Sequence, residues 1–294
     1  MFDQVASNKL KSTMLMTGFV LFVILLGFVF DEISGAGGAL SFCFFFIALF
    51  SAVGSYWYSD RIVLGMSRAR QVTKDSPQGA QIVNHIEGLA IASGLPVPPS
   101  VYVIEDPAPN AFATGRDPQH AAIALTTGLL EKMGRYELEG VIAHELSHII
   151  NYDTRLQMLT AVLAGTVAYV SEWMARSIIW GGIDEDRGGN AGLAAVGLVL
   201  ALLAPVAALV MRMAISRKRE YLADANAAVL TRYPDGLAEA LRKIAADPAP
   251  LRVANRATEP LWIYNPLKDR RKGLDRLFDT HPPIEERIRR LEAM

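Results

Sequence analysis

His144-Glu145-Leu146-Ser147-His148 is a run in which residue types and spacing together describe a chemical reagent. Residues four apart on a helix share one face. Both imidazoles can therefore reach a single zinc ion, while Glu145 stands beside it as the general base for an attacking water. With only 5 histidines in 294 residues, about 0.004 such runs are expected by chance. The bland alternative, two helix histidines packed without a metal, leaves the glutamate between them without a task. The chemistry implied is zinc-assisted hydrolysis of a peptide bond, with Glu145 taking a proton from the water and handing it to the leaving amine.

Catalytic zinc takes three protein ligands and keeps a fourth position open, so a third donor is required. The long metzincin spacing would need glycine at position 151 and histidine at position 154, where Asn151 and Thr154 stand. His85, His120 and His281 are donors by chemistry alone. The segment Arg219-Glu220-Tyr221-Leu222-Ala223-Asp224 offers a better arrangement. Glu220 and Asp224 lie on one helix face, so Glu220 can bind the zinc while Asp224 accepts the outer N–H of a ligating histidine. The competing reading is an ordinary solvated carboxylate pair.

The elements that position these residues belong to a membrane protein. The chain is 51% hydrophobic and 20% charged, with mean hydropathy +0.24. Four stretches lack any Asp, Glu, Lys or Arg: Ser12 to Phe30, Ile33 to Ser59, Leu156 to Ser171 and Gly188 to Met211. A helical span needs about 20 apolar residues, which makes the third stretch short unless it extends past Glu172. The first exceeds a signal-peptide core and reads as an uncleaved anchor. Lysines and arginines flank the spans on one side: Lys9 and Lys11, then Arg61, Arg68, Arg70 and Lys74, then Arg212, Arg217, Lys218 and Arg219. By the positive-inside rule both termini and both polar segments face the cytoplasm. The expected organisation is two transmembrane helices in 1–60, a catalytic part with the H-E-x-x-H helix in 61–155, two transmembrane helices in 156–211, and a second catalytic part with the third zinc ligand in 212–294. The fold class expected is a mainly α membrane protein with about four transmembrane helices and a cytoplasmic α+β zincin-like domain.

Within the polar segments, periodicity predicts helices over Pro77–Ile91, Tyr136–Asn151, Arg217–Leu230, Leu237–Ala246 and Ile284–Leu291. Val101–Ile104 and Ala121–Leu125, with Asn110–Gly115 between them, predict a small sheet of about three strands. Asp247–Thr280, with four prolines, reads as irregular and mobile. Net charge is -1, which excludes the global basic field a nucleic-acid partner requires. The lone Cys43 excludes an intramolecular disulfide and a cysteine-built zinc site. Lys268-Asp269-Arg270-Arg271-Lys272 is a solvated face or a contact for anionic lipid.

The run Pro109 to Arg116, the H-E-L-S-H motif followed by Asn151 and Asp153, the Glu220 to Asp224 segment and Thr280-His281-Pro282-Pro283 together resemble the HtpX family of membrane-bound heat-shock zinc endopeptidases, relatives of the CAAX prenyl proteases. The likeness runs over nearly the whole chain. It implies Glu220 as third zinc ligand, one Zn2+ per chain, and His281 as a second electrophile for the developing oxyanion. It also implies that Asn110, Ala111, Phe112 and Ala113 form an exposed edge strand pairing with the substrate backbone. The alternative for that run is a plain β-turn region. Asn151 and Asp153 cap or brace the active helix. The resemblance further implies protein quality control and stress response in a bacterial inner (plasma) membrane, with misfolded membrane proteins as substrates and the lipid bilayer as surroundings. The other classes kept open are a CAAX-type prenyl protease and a non-catalytic membrane scaffold or chaperone. A carrier is disfavoured because no charge interrupts spans one, two or four.

Overall fold

A computed structural model describes residues 2–34, 37–160, 163, 217–254, 258–264 and 282–294. Two long helices come first, α1 (Phe2–Ser34) and α2 (Ala39–Met66), packed on each other. Gly27 permits their approach: a Cβ there would lie 2.4 Å from Phe44 Cβ. Both are long and apolar enough to cross a bilayer, over Gln4–Phe28 and Ser41–Tyr58. On α2 the rings of Phe42, Phe46, Phe50 and Trp57 stand exposed, a face whose chemistry suits lipid. The third and fourth expected spans lie outside the described residues, apart from 156–160 and 163.

The polar part opens with β1 (Arg70–Gln71) and α3 (Pro77–Ala92), whose start carries an N-cap, Ser76, accepting from Gly79 N at 3.1 Å, and a proline in its first turn. Then come β2 (Ser100–Ile104), β3 (Ala111–Gly115) and β4 (Ala121–Thr126). The sheet order is β1-β2-β4-β3, with β2 and β4 parallel and the two outer pairs antiparallel. The sheet therefore has four strands rather than three; β1, at two residues, is too short to leave a period in the sequence. Strand β3 is an edge.

Helix α4 (Thr127–Lys132) leads into α5 (Arg135–Ile150), the helix that carries the H-E-x-x-H run. At its start Glu137 Oε2 accepts from Gly134 N at 2.6 Å, satisfying one orphan donor. The chain turns at Asn151 and at Tyr152, whose φ of 59° is left-handed, as at many helix C-termini, and is helical again over 153–160. Beyond 216 follow α6 (Arg217–Thr231), α7 (Pro234–Ala246), a 3-10 turn (Glu259–Leu261) and α8 (Ile284–Glu292).

Helix α5 is the hub. Its apolar face, with Val141, Ile142, Leu146 and Ile149, joins one face of the sheet to α3, α6 and α7 in the largest core. Gly140 lets α7 come close, since a Cβ would meet Leu237 N at 2.7 Å. A second core on the other face of the sheet joins Ile104, Phe112 and Ala124 to Val63 and Leu64 of α2 and to Trp262. A third joins α1 to Leu156, Leu159 and Leu163. The stretch expected to be irregular and mobile is irregular where described, yet Leu251, Leu261, Trp262 and Ile263 are buried in these cores. Burying a tryptophan offsets the entropy of fixing an irregular backbone.

Candidate metal centre

Helix α5 lays His144 and His148 side by side, and α6 brings Glu220 across to them. All three are buried, and their donor atoms lie within 4.8 Å of one another. The separations are 3.1 Å between the two Nε2 atoms, 3.8 Å from His144 Nε2 to Glu220 Oε2 and 3.7 Å from His148 Nε2 to Glu220 Oε1. A tetrahedral centre with bonds of about 2.0 to 2.2 Å has edges of about 3.4 Å, so two imidazoles and a carboxylate at these spacings fit a divalent ion. Among the described residues this is the one such group. His85 instead pairs with Glu139 at 2.8 Å, and His120 pairs with Asp117 at 2.8 Å. His281 lies outside the described residues.

Each imidazole is steered from behind. Asp224 Oδ1 sits 2.9 Å from His144 Nδ1, and Asp153 Oδ2 sits 3.0 Å from His148 Nδ1. Both Nδ1 atoms then carry a proton, and both Nε2 atoms face the shared space. Asp224 is in turn gripped by Arg287 of α8, which donates from Nε at 2.9 Å and from Nη2 at 2.7 Å and also reaches Ile263 O at 3.1 Å. The reading of Glu220 and Asp224 as a solvated pair therefore fails: both are buried and every such charge is matched nearby, as burial demands.

Electrostatics follow from this enclosure. Burial pulls the His144 imidazolium down to about 4, with Arg287 adding to the effect and Asp224 opposing it. Burial also pushes the Glu145 carboxyl up to about 7, assisted by Glu220 and opposed by His148 and by a hydrogen bond from Ala113 N–H. For His148 burial works against the charged form, but Asp153 and Glu220 outweigh it and raise the group to about 9. A carboxylate tuned near neutrality beside a buried group that could hold a metal ion has the protonation balance a general base needs.

The run Asn110 to Ala113 sits next to this cluster, on the edge strand, but it is buried rather than exposed. Phe112 is a core residue, its ring T-shaped to Trp262 with centroids 4.8 Å apart. Ile263 N donates to Ala111 O at 2.9 Å, and Asn110 Nδ2 donates to Tyr264 O at 3.1 Å. The chain's own segment thus covers the start of the edge, and the edge reaches Glu145 at Ala113. Three residues were missed as participants. Arg287 is one of several arginines in a charged helix, although Ile284, Arg287, Ile288 and Leu291 fall at helical spacing and mark the arginine as lying on the buried face. Asp153 was singled out only as a brace. Asn8, hydrogen-bonded to Asp153 at 2.6 Å, sits at the charged flank of the first apolar run and gives no signal in the sequence.

The family model for peptidase family M48 matches residues 76–294. Among curated relatives, a protein named protease HtpX homolog from Dictyoglomus turgidum is 45% identical over 301 residues, covering 100% of this chain and 94% of the relative. Proteins of the same name from Tropheryma whipplei and Listeria monocytogenes are 43% and 40% identical, each over 100% of this chain and 98% and 100% of the relative. Among solved structures, Ste24p of S. mikatae aligns with a TM-score of 0.46 at 18% identity, over 99% of this chain and 67% of that one.

Proposed function

This chain belongs to peptidase family M48 and is a membrane metalloprotease, and from that premise we propose that it is a zinc-dependent endopeptidase that clears misfolded or damaged membrane proteins from the cytoplasmic side of a bacterial inner membrane. The observation that carries the reading is the buried triad of His144, His148 and Glu220 with its donor atoms within 4.8 Å and Glu145 one residue along the same helix. In this reading the chain has four spans, with both termini and the catalytic parts in the cytoplasm. The flanking lysines and arginines support that orientation.

His144, His148 and Glu220 hold one zinc ion. When bound there, the ion would supply Lewis-acid polarisation of the scissile carbonyl and a pKa of about 7 for water. Glu145 is the catalytic base. Its burial holds the proton affinity high enough to accept a proton near neutrality, and the Ala113 N–H aims the carboxylate. Having taken the proton, Glu145 returns it to the leaving nitrogen. Asp224 and Asp153 keep both imidazoles in the tautomer that presents Nε2. Pairing of an extended substrate backbone along the Asn110 to Ala113 run, which would give affinity with little side-chain preference, requires the Ile263–Tyr264 segment to leave that edge, because Ile263 N already occupies Ala111 O. His281 serves as a second electrophile for the oxyanion.

The test is metal content together with casein cleavage, on detergent-purified wild type and Glu145→Gln. About one zinc per chain in both, with cleavage in wild type alone, is the expected result. Zinc in neither, or cleavage unaffected by the substitution, returns a non-catalytic scaffold to first place. A lipidated peptide cut in preference to casein would favour the prenyl-protease reading instead.

A further inference from the structure

A polar side chain from the membrane anchor reaches the metal centre from behind. Asn8 of α1 is fully buried, and its Nδ2 spends both protons on the turn after the H-E-x-x-H helix: one on Asp153 Oδ1 at 2.6 Å, the other on Asn151 O at 2.8 Å. The opposite oxygen of Asp153, Oδ2, is the one 3.0 Å from His148 Nδ1. A chain of three side chains thus runs from α1 through one carboxylate to an imidazole whose Nε2 faces Glu220. From this geometry we infer that Asn8 is a positioning residue for the metal centre, holding Asp153 in the rotamer that orients His148, so that docking of the first membrane helix completes the site.

Three further observations support the inference. Asn8 Oδ1 is buried without a partner among the described residues, a desolvation cost that an apolar residue at this helix position would not incur. The next residue grips the same turn, with Lys9 Nζ 4.3 Å from the centroid of the Tyr152 ring. Among the described residues the cation nearest Asp153, Arg219, approaches Oδ1 only to 3.6 Å through Nε, beyond hydrogen-bond length. Among the described residues Asn8 is therefore the close side-chain donor to Oδ1, opposite His148 on Oδ2, and the two together fix the plane of the carboxylate.

The inference rests on the reading that His144, His148 and Glu220 hold zinc, and the experiment separates the two. Zinc dissociation constants are measured by chelator competition on the full chain in detergent, for wild type, Asn8→Ala, Asp153→Ala, the double variant Asn8→Ala/Asp153→Ala, and Leu15→Ala. Leu15 is a buried α1 residue in the core with Leu156; its truncation loosens the same helix without touching Asp153. Melting temperatures of the metal-free forms are recorded alongside. Residues behind metal ligands typically set affinity by 10- to 100-fold. Asn8→Ala is expected to weaken zinc about tenfold, Leu15→Ala to lower the melting temperature but not the affinity, and the double variant to bind no more weakly than Asp153→Ala. Asn8→Ser, which keeps one donor, gives a smaller loss and serves if the alanine variant does not fold. Wild-type affinity in the Asn8 variants, equal losses in Asn8→Ala and Leu15→Ala, or additive losses in the double variant would each overturn the positioning role. Failure of wild type itself to bind zinc would overturn the metal-centre reading.

Discussion

Arg287 and Asp224 form a two-bond clasp, with Nε and Nη2 donating to both carboxylate oxygens at 2.9 and 2.7 Å and both side chains buried beneath His144. A bidentate pair of this kind is directional as well as strong. It ties the last helix of the chain to the proton-accepting side of a metal-facing imidazole. Removing one partner of a buried pair leaves an uncompensated charge and costs about 3 to 5 kcal/mol. Arg287→Met is expected to destabilise by that amount, read as a fall in melting temperature. Arg287→Lys loses the fork and rescues little. The double variant Arg287→Met/Asp224→Leu should recover much of the stability but not the zinc affinity, because His144 then lacks its acceptor. Equal zinc affinity in that double variant and wild type would refute this account of Asp224.

The same clasp sets an acid limit. Burial alone would raise the Asp224 carboxyl, but Arg287 and His144 outweigh it and hold the group at about 2 against an ordinary 3.8. A depressed carboxyl contributes stability that is complete above about pH 4 and lost as pH falls through 3.8 towards 2. The amount is about 2 kcal/mol. Melting temperatures of wild type between pH 5 and pH 2 should show this step, and Arg287→Met should lack it. A step of unchanged size in Arg287→Met would place the acid lability elsewhere.

What could be read in advance follows from which interactions are local. The H-E-x-x-H helix is legible because its spacing and its chemistry lie in the same sixteen residues. Helices α3, α6 and α7 are likewise visible as periodicity. Glu220 was the preferred donor from its spacing to Asp224, with a solvated pair as the competing reading until the resemblance strengthened it, since a contact between α5 and α6 leaves no trace in either segment alone. Arg287 and Asn8 were missed for the same reason: their partners, Asp224 and Asp153, lie 63 and 145 residues away. The run Asn110 to Ala113 looked exposed because its side chains are small or flat. The segment that buries it, Trp262 to Tyr264, comes from a proline-rich stretch with no period to signal that it packs at all.

On the proposed mechanism Glu145 governs the pH dependence of turnover. Burial raises its carboxyl from 4.5 to about 7, and a divalent cation nearby favours the ionised form and draws it back down. A base must be deprotonated to act, so kcat/KM is expected to rise with pH along a limb whose midpoint lies between 4.5 and about 7. Rates on a fluorogenic peptide across pH 4 to 9 measure it. Glu145→Gln should lie about 100- to 10,000-fold below wild type with no such limb. A limb that persists in Glu145→Gln with normal amplitude would assign it to another group.

Metal uptake should release protons, and the number follows from His148. In the metal-free protein Asp153 and Glu220 hold its imidazolium to about 9 despite burial, so at pH 7 the ring carries two protons. Only one can stay when Nε2 becomes a ligand, and Asp153 retains the one on Nδ1. His144, held down at about 4, is already neutral and gives up none. Zinc binding at pH 7 is therefore expected to expel about one proton from His148, plus a fraction from Glu145, whose carboxyl is half protonated there. Apparent affinity should climb as pH rises from 6.5 through 9, while the metal-free protein loses the stability that His148 contributes over that window. Calorimetric titration of zinc into the chelator-stripped protein, in buffers of different ionisation enthalpy, counts the protons. Repeating it with Asp153→Asn separates the sources, since a neutral amide removes the charge that raises His148 and should cut the count towards the Glu145 fraction. A count no larger than the Glu145 fraction in wild type would mean that His148 is neutral before the metal arrives, and that its pairing with Asp153 orients the ring without charging it.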